Sequence, residues 1–67
     1  MIDYNKLTAR AQFHVKHGFR VGQSFMNALF DIDPDSYDEI TGTDSDCFYR
    51  DDLIPAFFKW LENKHGI

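Results

Sequence analysis

Few side chains in this chain are equipped for covalent or metal chemistry. Cys47 is the single thiol among 67 residues, and His14, His17 and His65 are the only imidazoles. A nucleophilic cysteine needs surroundings that favour the thiolate. Cys47 follows the acidic Asp44 and Asp46, which oppose a second negative charge, and no motif frames it. It reads as a buried structural thiol. His14 and His17 stand three apart and can share a helix face. A metal site usually needs three or four ligands, so the pair would need Cys47 and His65 brought to it by the fold. On their own they read as exposed histidines.

The carboxylates Asp31, Asp33 and Asp35 carry the 1-3-5 spacing of a calcium loop. The remaining positions fail that pattern: Ser36 stands where the loop needs glycine, and Gly42 where it needs a bidentate glutamate. Asp33-Pro34 is instead a helix start, with Asp33 as cap and proline at the first helical position. Asp44 and Asp46 suit turn caps. The chain has neither a phosphate-cradling glycine loop nor a nucleophile elbow. These residues predict no enzyme, no bound metal and no cofactor.

Charge is the stronger signal. Residues 1–20 hold Lys6, Arg10, Lys16 and Arg20 against Asp3 alone, while residues 21–67 hold three cations against ten acids. Lys6, Arg10 and Lys16 could contact nucleic acid from a first helix, and the break at Gly18 suits a helix–turn–helix. The second helix carries little positive charge, however, and a net charge of −4 opposes a polyanion. Residues 31–52 hold nine acids and one arginine. Such a surface can imitate a phosphate backbone, or simply keep a small protein soluble. Arg20, Gln23 and Asn27 fall at offsets of 0, 3 and 7, a polar row on one helix. Amide and guanidinium groups make directional hydrogen bonds suited to a specific interface. They could equally brace the loop through Asp44.

Helices must position these groups. Tyr4, Leu7, Ala11 and Val15 form one stripe of a helix over Asp3–His17, capped by Asp3 and ended by Gly18. Val21, Phe25, Ala28, Leu29 and Ile32 form the stripe of a second, over about Val21–Phe30. A short third helix runs from Pro34 to about Thr41, burying Tyr37 and Ile40 and stopped by Gly42. Residues 42–50 form a loop that Phe48 and Tyr49 pin to the core. The last helix begins near Asp51 or Asp52, because Pro55 is tolerated only in a first turn, and ends near Lys64. No segment alternates with period two. The expectation is an all-α fold over residues 1–67, a single domain made of a compact bundle of three main helices plus one short helix.

The predicted core holds Leu7, Ala11, Phe25, Leu29, Tyr37, Ile40, Phe48, Phe57, Trp60 and Leu61. Hydrophobic residues make up 43% of the chain and aromatics 16%, which suits a short domain that must bury much area per residue. Phe13, Phe19, Phe30 and Phe58 fall off the main stripes, so an exposed apolar patch and a homodimer are open. A lone cysteine and the lack of a signal-length apolar run in the first twenty residues predict a reducing, cytoplasmic setting. No stretch approaches the length of a membrane span.

Arg20-x-Gly22-Gln23-x-x-x-Asn27-x-Leu29, Gly42-Thr43-Asp44, Asp46-x-Phe48-Tyr49-x-Asp51 and Phe57-x-x-Trp60-Leu61 together resemble a pattern in small uncharacterised phage and prophage proteins. The resemblance spans residues 20–61. It implies a context, a phage accessory protein made in a bacterial host, and no activity, cofactor or catalytic residue. With the residue-level reading, it points to a non-enzymatic protein-interaction module that binds and inhibits a host or defence complex. The expected contacts are Arg20, Gln23, Asn27 and Asp44. Nucleic-acid binding through Lys6, Arg10 and Lys16 is the alternative.

Overall fold

A computed structural model describes residues 2–66. Four α-helices follow in order, with no strand among the described residues: α1 (Tyr4–Lys16), α2 (Val21–Ile32), α3 (Pro34–Ile40) and α4 (Ile54–His65). A single 3-10 turn, Asp51–Leu53, leads into α4. None of these helices is long and apolar enough to cross a membrane.

Local signals set most boundaries. The Asp3 carboxylate accepts the Lys6 N–H at 3.1 Å and starts α1. At the other end Gly18, with φ of 98°, turns the chain, and the N–H groups of Gly18 and Phe19 donate to the carbonyls of Val15 and His14. That pair of bonds satisfies the last carbonyls of the helix. α2 runs two residues beyond the expected Phe30, so Asp33 alone separates it from α3. Asp33 ends one helix and caps the next. Pro55 occupies the first turn of α4, where no intrahelical donor is lost.

α2 is the central element. Gly22, Ser24, Met26, Ala28 and Leu29 are all buried on it, because α1, α3 and the loop before α4 pack around it. Phe25 completes the contact with α4, its ring lying 5.1 Å from that of Phe58 and 5.9 Å from that of Phe57. Six of the expected core residues are fully buried: Leu7, Ala11, Leu29, Ile40, Phe57 and Leu61. Phe25, Tyr37, Phe48 and Trp60 pack at the rim of that cluster.

The core also differs from expectation. Ile2, Met26, Ala28 and Cys47 belong to it; Met26 lies off the predicted stripe because α2 is packed on more than one side. Val15 and Val21 are exposed, since they sit in the last turn of α1 and the first of α2, where Gly18 carries the chain away from the core. Phe58 is packed against the core rather than off it. Tyr49 does not pin the loop: it is 81% exposed, and Phe48 alone turns inward. The two are the central residues of a turn closed by the Arg50 N–H donating to the Cys47 carbonyl, which turns one ring inward and leaves the other in solvent.

Candidate partner-binding surface

At 100° per residue, Arg20, Gln23, Asn27, Phe30 and Asp31 fall on one side of α2. The packed neighbours leave this side partly open, with Arg20 tied to the loop and Asp31 to α1 at its edges. Gln23 and Asn27 are half-buried, whereas Phe30 is 54% exposed. Among the described residues neither side-chain amide takes part in a hydrogen bond, and no fully buried polar atom lacks a partner. The two amides therefore point their polar atoms to solvent.

Arg20 behaves differently. Its guanidinium donates to the Phe48 carbonyl and lies 3.8 Å from the Asp51 carboxylate. The loop is thus braced through Phe48 and Asp51 and not through Asp44. Asp44 is exposed on a turn closed by the Asp46 N–H donating to the Thr43 carbonyl. Asp46 holds the same turn, its two oxygens accepting the N–H groups of Gly42 and Phe48, each at 2.9 Å. The row at Arg20, Gln23 and Asn27 is one contiguous feature, and Asp44 belongs to the neighbouring loop.

On the loop side of α2 a shallow pocket of about 130 Å³ opens above buried Met26. Tyr37, Thr41, Asp46, Phe48 and Tyr49 line it. The Phe48 and Tyr49 rings meet edge to face at 4.8 Å, and Tyr37 meets Phe30 the same way at 5.2 Å.

The adjoining side of α2 faces α1, and Asp31 stands at the edge between the two. The Asp31 carboxylate accepts from Arg10 Nε at 2.7 Å and lies 2.8 Å from His14 Nε2. Partial burial pushes the Asp31 carboxyl up, but these two partners outweigh it and hold the group below its usual range. Arg10 also lies 4.2 Å above the Phe13 ring. A wide, open groove of about 1110 Å³ runs here, lined by Lys6 and Arg10 together with Asp3, Asp31 and Asp33. Three carboxylates beside two cations give a phosphate backbone little net attraction. Lys16 is exposed in the last turn of α1.

The other chemistry-bearing groups are structural ties. Cys47 is fully buried and its thiol donates to the Gly22 carbonyl at 3.3 Å. Burial pushes the thiol up to about 12, and Asp46 and Asp51 add to that. Asp31 and Asp33 are engaged by Arg10 and Ser36, which leaves the calcium-like spacing without a loop around it. No group of three or more His, Cys, Asp or Glu residues converges into a metal-sized cluster among the described residues.

Sequence spacing missed one cluster. Ser36, Asp33 and His65 meet where α4 ends beside the start of α3. Ser36 Oγ donates to Asp33 Oδ2 at 2.6 Å and lies 2.8 Å from His65 Nε2, which is itself 3.4 Å from Asp33 Oδ2. These are the residue types of a hydrolase triad, but the wiring differs. In a triad the imidazole bridges hydroxyl and carboxylate through its two nitrogens; here one nitrogen faces both. Ser36 is also fully buried, out of reach of a substrate. The cluster fastens α4 to α3, alongside an ion pair between Lys64 and Glu39. A residue pair 29 positions apart leaves no local pattern to detect.

Comparison with protein-family models, curated proteins and solved structures finds no match for the chain.

Proposed function

We propose that this protein is a non-enzymatic interaction module whose protein partner docks on the open side of α2. Gln23 and Asn27 supply directional hydrogen bonds, Arg20 presents its remaining donors, and Asp44 contributes from the adjoining loop. In the setting suggested by the phage resemblance, the partner is a host or phage protein in the bacterial cytoplasm. The module acts there by occupying and inhibiting a host or defence complex.

One observation carries the reading. The central helix of the fold leaves one side partly open, and that side holds two half-buried amides with no hydrogen-bond partner among the described residues, along with the exposed ring of Phe30. Interfaces are enriched in aromatic anchors and satisfy their polar groups across the contact. A core-forming helix with no partner to meet would more simply carry charged side chains there.

The test is capture from bacterial lysate with the tagged protein, with and without nuclease, using wild type and the Gln23→Ala/Asn27→Ala variant. A partner protein that survives nuclease and is lost with the double variant supports the reading. Recovery of nucleic acid alone, abolished by Lys6→Ala/Arg10→Ala, transfers the function to α1. Self-capture indifferent to Gln23 and Asn27 would indicate a dimer formed elsewhere, for which Phe13 and Phe19 are the exposed candidates.

A further inference from the structure

We infer that the pocket beside α2 receives a positively charged side chain, lysine or arginine, from a basic segment of the partner protein. This rests on the docking reading above and names the chemistry of what docks.

Size comes first. At about 130 Å³ the pocket has room for about four water molecules at ~30 Å³ each. Small-molecule and cofactor sites run to several times that volume, roughly 300–1,000 Å³. A single long side chain fits it; a folded ligand does not.

The lining comes next. Tyr37, Phe48 and Tyr49 contribute three aromatic residues and Asp46 an acid to the lining, with fully buried Met26 beneath. Ring faces attract cations, more strongly when solvent is partly excluded. Both Asp46 oxygens accept one backbone N–H each, which fixes the carboxylate in place and leaves each oxygen a further lone pair. An aliphatic stem would lie along the rings while its charged head meets Asp46.

Surrounding charge supports the same occupant. Residues 31–52 carry nine acids and one arginine, and that arginine, Arg50, is bound to Asp52 at 2.6 Å. Asp35, Asp38 and Asp44 are exposed without a cationic partner among the described residues. The field around the pocket draws a basic segment toward it and repels an acidic one. The Tyr49 ring, 81% exposed, is free to pack against the incoming side chain.

The probes are Nα-acetyl-lysine amide and Nα-acetyl-arginine amide, with the uncharged Nα-acetyl-norleucine amide as control, titrated into the full chain and followed by NMR. At least one cationic probe should shift the Tyr37 and Tyr49 ring resonances saturably, binding about fivefold tighter than norleucine amide. Tyr49→Ala should abolish the shifts and Tyr49→Phe should keep them; the side chain is exposed, so both variants fold. Norleucine amide binding as well as both cations, or cation shifts mapping away from these residues, overturns the inference. Capture separates the two proposals. A partner lost by Gln23→Ala/Asn27→Ala but kept by Tyr49→Ala retains the docking surface and overturns the cation pocket. A partner indifferent to both variants overturns the docking surface itself.

Discussion

The Gly22 N–H donates to the Asp51 carboxylate at 2.9 Å across 29 residues of sequence. The first turn of α2 is therefore capped in trans. Arg20, at the position where a helix usually carries its own capping oxygen, makes no side-chain cap bond. The same carboxylate is the one that faces Arg20, so the start of α2, the loop and the approach to α4 share a single anchor.

Removing that anchor should loosen both helices. Asp51→Ala is expected to lower stability by about 1 kcal/mol, the usual value of a capping side chain, in a domain whose total is about 3–5 kcal/mol. Asp51→Asn, which keeps an acceptor oxygen, should lose less. Urea unfolding of the three proteins checks the order, and an alanine variant as stable as wild type would contradict it.

Gly22 has a second constraint, which is space. A Cβ there would lie 2.2 Å from the Cys47 carbonyl and 2.7 Å from the Asp51 carboxylate. Glycine to alanine inside a helix ordinarily gains about 1 kcal/mol. Here the clash with backbone reverses the sign, and Gly22→Ala is expected to destabilise by about 2–3 kcal/mol. Thermal melting of this variant reads the effect directly.

Local pattern made much of this fold legible. Asp3, Gly18, Asp33-Pro34 and Pro55 act within a turn or two of their own position, so they mark helix ends from sequence alone. Helical period likewise put Arg20, Gln23 and Asn27 on one side. Contacts set by tertiary approach escaped: the capping of α2 by Asp51, the Ser36–His65 tie, the burial of Met26 and the outward turn of Tyr49. Each depends on which segment arrives from a distance, and no periodicity within α2 or the loop encodes that. Arg20 shows the division most clearly. Its position was readable, but its attachment to the Phe48 carbonyl was not.

Acid should unfold the protein through two carboxylates. The Ser36 hydroxyl bond, reinforced by the Ser36 N–H and by His65 and Lys64, holds Asp33 below the usual carboxylate range against the effect of burial. Arg10 and His14 do the same for Asp31. Both groups bind protons more weakly folded than unfolded, so ionisation favours the fold. That stability is present above the unfolded value of about 3.9 and is lost as pH falls through the lower folded values. Urea midpoints at pH 6 and pH 3 should differ less in Asp31→Asn and Asp33→Asn than in wild type.

Cys47 should be chemically silent in the native state. With its thiol buried and pushed up to about 12, alkylation at pH 8 is expected to proceed only through unfolding and to accelerate with urea. Rapid labelling without denaturant would contradict the buried placement.

The docking claim rests on Gln23 and Asn27 contributing to binding and little to folding. The decisive measurement is the affinity of the captured partner for wild type and for Gln23→Ala/Asn27→Ala, with melting temperatures taken in parallel. Losing two interfacial amides should weaken binding by about tenfold or more while the melting temperature stays nearly unchanged. Unaltered affinity, or a binding loss matched by a large fall in melting temperature, would contradict the assignment of α2 as the partner-binding face.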